Sequence, residues 1–218
     1  MNIKQFLSLP KTIYFNLKVF NFKTAIKLPI FISFDTKIGN LRKNSIILEG
    51  DIRKGMIEIG LSNLEGVGNK RKSFIQIGTN ENAKIIFKGN AYFASGALIT
   101  VDRGCLTIGN NFIANNNFCI SCNNKVDFGD NVLIGWNSNF LDSDNHKVID
   151  EKSKISKNDR ISIGNHVWIG ANCDFLKGAN IGDNSIVGYK SLVNKKFNSN
   201  TMIAGSPAKM IKENINWE

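Results

Sequence analysis

The 218 residues contain only two histidines, and they stand in different surroundings. His146 ends the polar string LDSDNH at 141–146, with Asp142 and Asp144 just before it. His166 lies in IGNHVW at 163–168, two residues ahead of Trp168. A neutral imidazole can take the proton of an alcohol while that alcohol attacks a carbonyl. A nearby carboxylate can hold the ring in the right tautomer. By residue type and placement alone, His146 is either such a base, with Asp142 or Asp144 as its orienting acid, or an exposed loop residue. His166 reads as an exposed turn residue. The cysteines are Cys105, Cys119, Cys122 and Cys173. Cys119 and Cys122 form one C-x-x-C, but a zinc site needs a second pair or closely spaced histidines. Free thiols in a reducing compartment are expected, and no metal.

The elements that must position these residues follow a repeat of six. Ile163, Ile169, Phe175, Ile181, Val187 and Val193 are each six apart, and Gly164, Gly170, Gly182 and Gly188 follow four of them directly. A period of six fits neither an α-helix nor a hairpin sheet. It fits a triangular coil in which each hexapeptide supplies a short strand and a turn, and three complete one circuit. Residue i then stacks on i+18, so Ile163 meets Ile181, Ile169 meets Val187 and Phe175 meets Val193. Coils sit about 4.8 Å apart, with aliphatic residues inward. Gly and Asn are expected at the corners, where positive φ suits them. The same rhythm appears in Phe87, Phe93 and Ile99, in Ile108, Ala114 and Ile120, and in Phe128, Ile134 and Phe140. The fold class is therefore all-β, a parallel β-helix spanning 35–202.

The rhythm breaks between Phe140 and Ile163, where a polar stretch predicts a loop extruded at 141–162. Long loops in compact domains tend to carry function. A solenoid also needs both ends closed. At the C-terminal end, 203–218 forms a cap, with a turn at Gly205 and Pro207 and a short helix over 208–215. At the other end, 1–34 carry five Lys, six Phe and no acid. They are expected either to cap the solenoid or to lie at a membrane interface. No secretory signal or membrane-spanning run stands out, so a cytoplasmic location, either free or peripheral at the inner membrane face, is expected. The net charge of +10 favours anionic partners, and the chain shows no nucleic-acid-binding module.

The hexads, IGNHVWIGA at 163–171 and AGSPAK at 204–209 resemble the hexapeptide-repeat acyltransferases, from about residue 108 to 215. With DSDNH at 142–146 ahead of VWIG, the chain looks most like O-acetyltransferases of capsule, exopolysaccharide or lipopolysaccharide sugars. It is also similar to maltose and galactoside acetyltransferases. The resemblance implies a left-handed β-helix, a homotrimer, and active sites between adjacent solenoids with acetyl-CoA along the groove. It implies that His146 is the general base. It also places Asn115 at an active-site Asn of the sugar acetyltransferases, although Asn123 stands where that family often has an acid.

For coenzyme A the resemblance carries over Ala171, Tyr189, Asn194, Lys195, Lys209 and Lys212, with Lys209 and Lys212 meeting the ribose phosphate. Trp168 packs against the acceptor, the pantetheine arm or a neighbouring subunit. Tyr189-Lys190 departs from the family's usual Ala-Gly. The bulk there opposes close backbone approach, while Lys190 offers another phosphate contact. The leading expectation is O-acetylation of a surface polysaccharide or glycolipid, with a carbohydrate acceptor that is acidic or lipid-linked. The alternatives are N-acetylation of an amino-sugar nucleotide and a non-catalytic scaffold. A metal-binding solenoid would need three clustered histidines, and the chain has two.

Overall fold

The hexad pattern closes into a parallel β-helix of triangular section. The computed structural model describes residues 3–61, 71–146 and 160–218. The first face stacks Ile30–Ile32, Ile57–Ile59, Ala91–Phe93, Phe112–Ala114, Leu133–Ile134, Trp168–Ile169, Ile186–Val187 and Thr201–Ala204. The second runs from Lys37–Ile38 through Cys119–Cys122 and Asn139–Leu141 to Leu192–Val193, and the third from Ile46–Leu48 to Lys196–Phe197. The predicted register holds: Ile163 pairs with Ile181, Ile169 with Val187 and Phe175 with Val193. In the earlier coils, Phe87 pairs with Ile108 and Ile108 with Phe128, repeats of 21 and 20 residues. Four-residue strands such as Cys105–Ile108 and Lys125–Phe128 absorb the surplus, which is why the six-residue rhythm blurs there.

The interior is a column of aromatic rings. Phe93, Phe112, Phe118, Phe128, Phe140 and Phe175 are all buried. Phe140 and Phe175 stack in parallel at 4.5 Å, across the extruded loop. Such ring pairs add about 0.5–1.5 kcal/mol beyond burial alone. The stack carries the solenoid past the break, since Phe140 also pairs with Phe175 in the strand register.

Asparagine shapes the corners. Asn117, Asn137 and Asn172 take positive φ of 61°, 57° and 58° on successive coils. Their amides hydrogen-bond in line, at 2.9 and 3.2 Å. Asn tolerates this backbone region better than other non-glycine residues, and Lys190 takes the same conformation one coil on, with φ 59°. The glycines differ from expectation. Gly164, Gly170, Gly182 and Gly188 are absent from the positive-φ positions. They are required by close approach instead: a Cβ on Gly164 would stand 2.4 Å from Asp183 Oδ1, and one on Gly109 would stand 2.2 Å from the Gly129 carbonyl oxygen.

Both ends are closed. Helices α1 (Ile3–Leu7), α2 (Leu9–Val19) and α3 (Phe22–Ala25) lie at the N-terminal end. The first-coil strand Ile30–Ile32 falls inside the segment expected to be only a cap. Its free edge is met by side chains of α2. Asn16 bonds both the N–H and the C=O of Ile30, and Thr12 does the same for Ile32. The match is geometric: residues i and i+4 of a helix rise about 6 Å, close to the span of i and i+2 in a strand. At the other end, the helix expected over 208–215 is not formed. Lys209–Glu213 is a strand, antiparallel to Thr201–Ala204. The last coil otherwise presents an unpaired strand edge, and pairing that edge outweighs the local helix preference. No helix among the described residues is long and apolar enough to cross a membrane.

Two stability outcomes follow. Phe140→Ala should cost about 3–5 kcal/mol in a denaturant titration; a loss under 1 kcal/mol would contradict the role given to the ring column. Asn16→Leu should cost about 1–3 kcal/mol by orphaning the Ile30 backbone groups and should raise aggregation through the freed strand edge.

Candidate active site

A groove of about 410 Å³ runs along the first face over its later coils. Its apolar wall is one outward line, in which Leu133 pairs with Trp168, Trp168 with Ile186 and Ile186 with Met202. Its floor is a second line at the strand ends, formed by Gly135, Gly170 and Gly188. Each of these glycines donates its N–H to the next coil, to Ile169, Val187 and Ile203 respectively. Asn115 starts this line, and its amide donates to the Ile134 carbonyl at 3.0 Å. Trp136, Ala171 and Tyr189 close the far side. A floor without side chains lets an extended, amide-bearing molecule approach the backbone. Among the described residues, no carboxylate lines the groove.

The residues expected to bind a cofactor divide between two corners. Trp168, Ala171 and Tyr189 line the groove. Lys190 follows Tyr189 on the exposed rim. Lys209 pairs with Ala204 and Lys212 with Met202, so the tail strand sets both exposed lysines beside the upper end of the groove. Asn194 and Lys195 lie instead where the chain passes from the second face to the third, and Lys195 Nζ sits 5.4 Å from the Phe197 ring centre.

The extruded loop leaves from that same second-to-third corner, directly after Asn139–Leu141. His146 is exposed there, and residues 147–159 of the expected loop lie outside the described residues. Asp142 is fully buried. Its carboxylate accepts the backbone N–H groups of Asn123 and Asn124 at 2.7 and 2.8 Å, which anchors the root of the loop. Asp144 pairs with Lys177 at 2.6 Å. In this structure, then, neither acid meets the His146 imidazole. Both hold the loop, which is a different task from orienting the ring. His146 does not line the groove of its own chain.

Residues 160–195 match the family model described as bacterial transferase hexapeptide (six repeats). The match covers 36 of the 218 residues. The polySia-specific acetyltransferase NeuO superposes with a TM-score of 0.62 at 24% identity, covering 87% of this chain and 78% of that one. A UDP-N-acetylglucosamine O-acyltransferase from Moraxella catarrhalis gives a TM-score of 0.51 at 21% identity, covering 85% and 73%. Galactoside acetyltransferase, solved in complex with coenzyme A, is 34% identical over 50% of this chain and 55% of that one, with a TM-score of 0.42. No curated protein matches the chain. The shared architecture is the left-handed parallel β-helix.

Two aromatic residues escaped the sequence reading. Trp136 lines the groove, and Trp217 reaches its neighbourhood from the tail. The Trp217 indole stacks on His166 at 4.4 Å, donates Nε1–H to the His166 carbonyl and lies 6.2 Å from Trp168. The signal was present: the chain has three tryptophans, and all three gather here. His166 itself is a corner residue with φ 54°, its Nδ1 3.2 Å from Asn184 Oδ1. All four cysteines are free. On one strand Cys119 is half-buried while Cys122 is buried, so the C-x-x-C does not converge on one ligand. Burial pushes the Cys119, Cys122 and Cys173 thiols up, and the Asp142 carboxylate raises Cys122 further. Among the described residues no group of three or more His, Cys, Asp or Glu could hold a metal ion.

At pH 8 an aromatic disulfide reagent should therefore titrate at most two thiols of the native protein and all four after denaturation. Rapid reaction of a third native thiol would contradict the burial of Cys122 and Cys173.

Proposed function

We propose that the protein is an acetyl-CoA-dependent O-acetyltransferase acting on a sugar hydroxyl of a bacterial surface polysaccharide or glycolipid. The observation that carries this reading is the groove: a floor of Gly135, Gly170 and Gly188 under an apolar wall, with Lys209 and Lys212 at one end. That combination suits a long thiol arm with amide groups and a phosphorylated head. Trp168, Ala171 and Tyr189 hold the arm. Lys190, Lys209 and Lys212 meet the phosphates, as charge-assisted contacts do elsewhere. The β-helix shared with NeuO, an acetyltransferase, supports the class of reaction.

The protein acts as a homotrimer in the cytoplasm. Support comes from the split between corners: His146, Asn194 and Lys195 sit on the second-to-third corner, while the groove lies over the first face. A neighbouring solenoid brings His146 to the groove, together with Asn194 and Lys195. His146 takes the proton of the acceptor hydroxyl as its oxygen bonds to the thioester carbonyl carbon. Asn115, the polar side chain on the groove floor, has a second amide hydrogen to offer the oxyanion. Collapse breaks the carbon–sulfur bond, and the proton passes from His146 to the departing thiolate. Asp142 and Asp144 contribute by fixing the root of the loop.

Supplied with acetyl-CoA and matched hydroxyl and amino acceptors, the protein should acetylate the hydroxyl. Faster turnover of the amine would replace this reading with N-acetylation. His146→Ala should lower kcat about 100- to 10,000-fold, the usual worth of a general base, with unchanged size in light scattering. Normal turnover would remove the assignment. Titration with coenzyme A should show binding weakened about tenfold by Trp168→Ala, a plausible loss for one aromatic wall; no binding by the wild type would favour a scaffold.

A further inference from the structure

The N-terminal cap has a second surface, facing away from the solenoid. Thr12, Phe15, Asn16 and Val19 of α2 are buried against the first coil. The opposite side presents Ile13, Tyr14 and Leu17 to solvent. Phe22 and Ile26 continue this surface across α3, where they are 71% and 59% exposed. Ile13, Leu17, Phe22 and Ile26 border one apolar cleft of about 290 Å³. Ile3, Phe6 and Leu7 of α1 are exposed as well. This is more exposed apolar and aromatic area than a short capping segment needs.

Charge decides what fits it. Residues 1–34 carry five lysines and no acid. Two of them serve the fold: Lys4 donates to the Gly60 carbonyl, and Lys11 to those of Phe34 and Thr36. Lys18, Lys23 and Lys27 are exposed. Two more exposed lysines join the rim from the solenoid. Lys43 precedes Asn44, whose N–H bonds the Val19 carbonyl, and Lys54 precedes Gly55, whose N–H bonds the Leu28 carbonyl. A second copy of this face would bring like charges together, which disfavours self-association.

We propose that the cap docks on an anionic lipid bilayer, with Ile13, Leu17, Phe22 and Ile26 in the headgroup region and Lys18, Lys23 and Lys27 on the lipid phosphates. Short amphipathic helices with apolar and basic surfaces bind membranes in this way. The groove begins at Asn115, three coils above the first and about 14 Å away at the usual strand spacing, so docking leaves it open.

Sedimentation with large unilamellar vesicles tests this. The wild-type chain should bind phosphatidylcholine vesicles containing phosphatidylglycerol, bind pure phosphatidylcholine weakly, and release in high salt. L17E/F22E should lose at least about tenfold in affinity while keeping its melting temperature. K18Q/K23Q/K27Q changes only exposed side chains and should lose about fivefold per lysine on the anionic vesicles. Three results would overturn the proposal: no binding of the wild type to anionic vesicles, undiminished binding by K18Q/K23Q/K27Q, or a smaller oligomer for L17E/F22E in light scattering. The last would mean that the face packs on another copy.

Discussion

No coil of this solenoid has an interior of its own. Each strand is only two to four residues long in the central coils, and its inward side chain is covered only by the coils above and below. Stacking in register is therefore the interaction on which the rest depends. It fixes which residues come into line: phenylalanines down the axis, asparagines at a corner, glycines where backbones nearly touch. It also leaves two ends that cannot be stacked. Thr12 and Asn16 close the first by imitating a strand edge with side chains. The antiparallel strand Lys209–Glu213 closes the other side of the stack at the last coil.

The candidate site is a by-product of the same register. Because Gly135, Gly170 and Gly188 must be small for close approach of coils, their line is also an open floor. The residues outside that line are free to be aromatic, and Trp136, Trp168 and Tyr189 use that freedom. Where the chain leaves the register after Leu141, it is held as firmly as the coils themselves. Phe140 stacks on Phe175 beneath the extrusion, and Asp142 ties its first residues to the preceding coil. A rigid root fits the proposal that this loop presents His146 to a neighbouring chain.

The parts of the fold legible in the sequence were those with a strict period. Ile163, Ile169 and Phe175 announce their partners because the later coils are 18 residues long. The earlier coils vary by a residue, so their stacking could be seen only in fragments. The glycines were recognised for the wrong reason, since spacing cannot distinguish a positive φ from a crowded backbone. Long-range satisfaction of strand edges was illegible: nothing local to Lys209–Glu213 says that Thr201–Ala204 lies beside it. The same holds for Trp217, which meets His166 across 51 residues of sequence. Asp142 was read as a partner for His146 by proximity in sequence, whereas burial and two backbone donors bind it to Asn123 and Asn124.

The central claim is that a complete site needs the His146 corner of one chain and the groove of another. The most direct measurement mixes two inactive proteins, H146A and a groove-filled I186R/M202W, by unfolding and refolding them together in equal amounts. Shared sites should recover about a quarter of wild-type activity, because random pairing in a cyclic trimer joins an intact groove to an intact histidine that often. If mixed trimers form and remain inactive, the site lies within one chain and the account is contradicted.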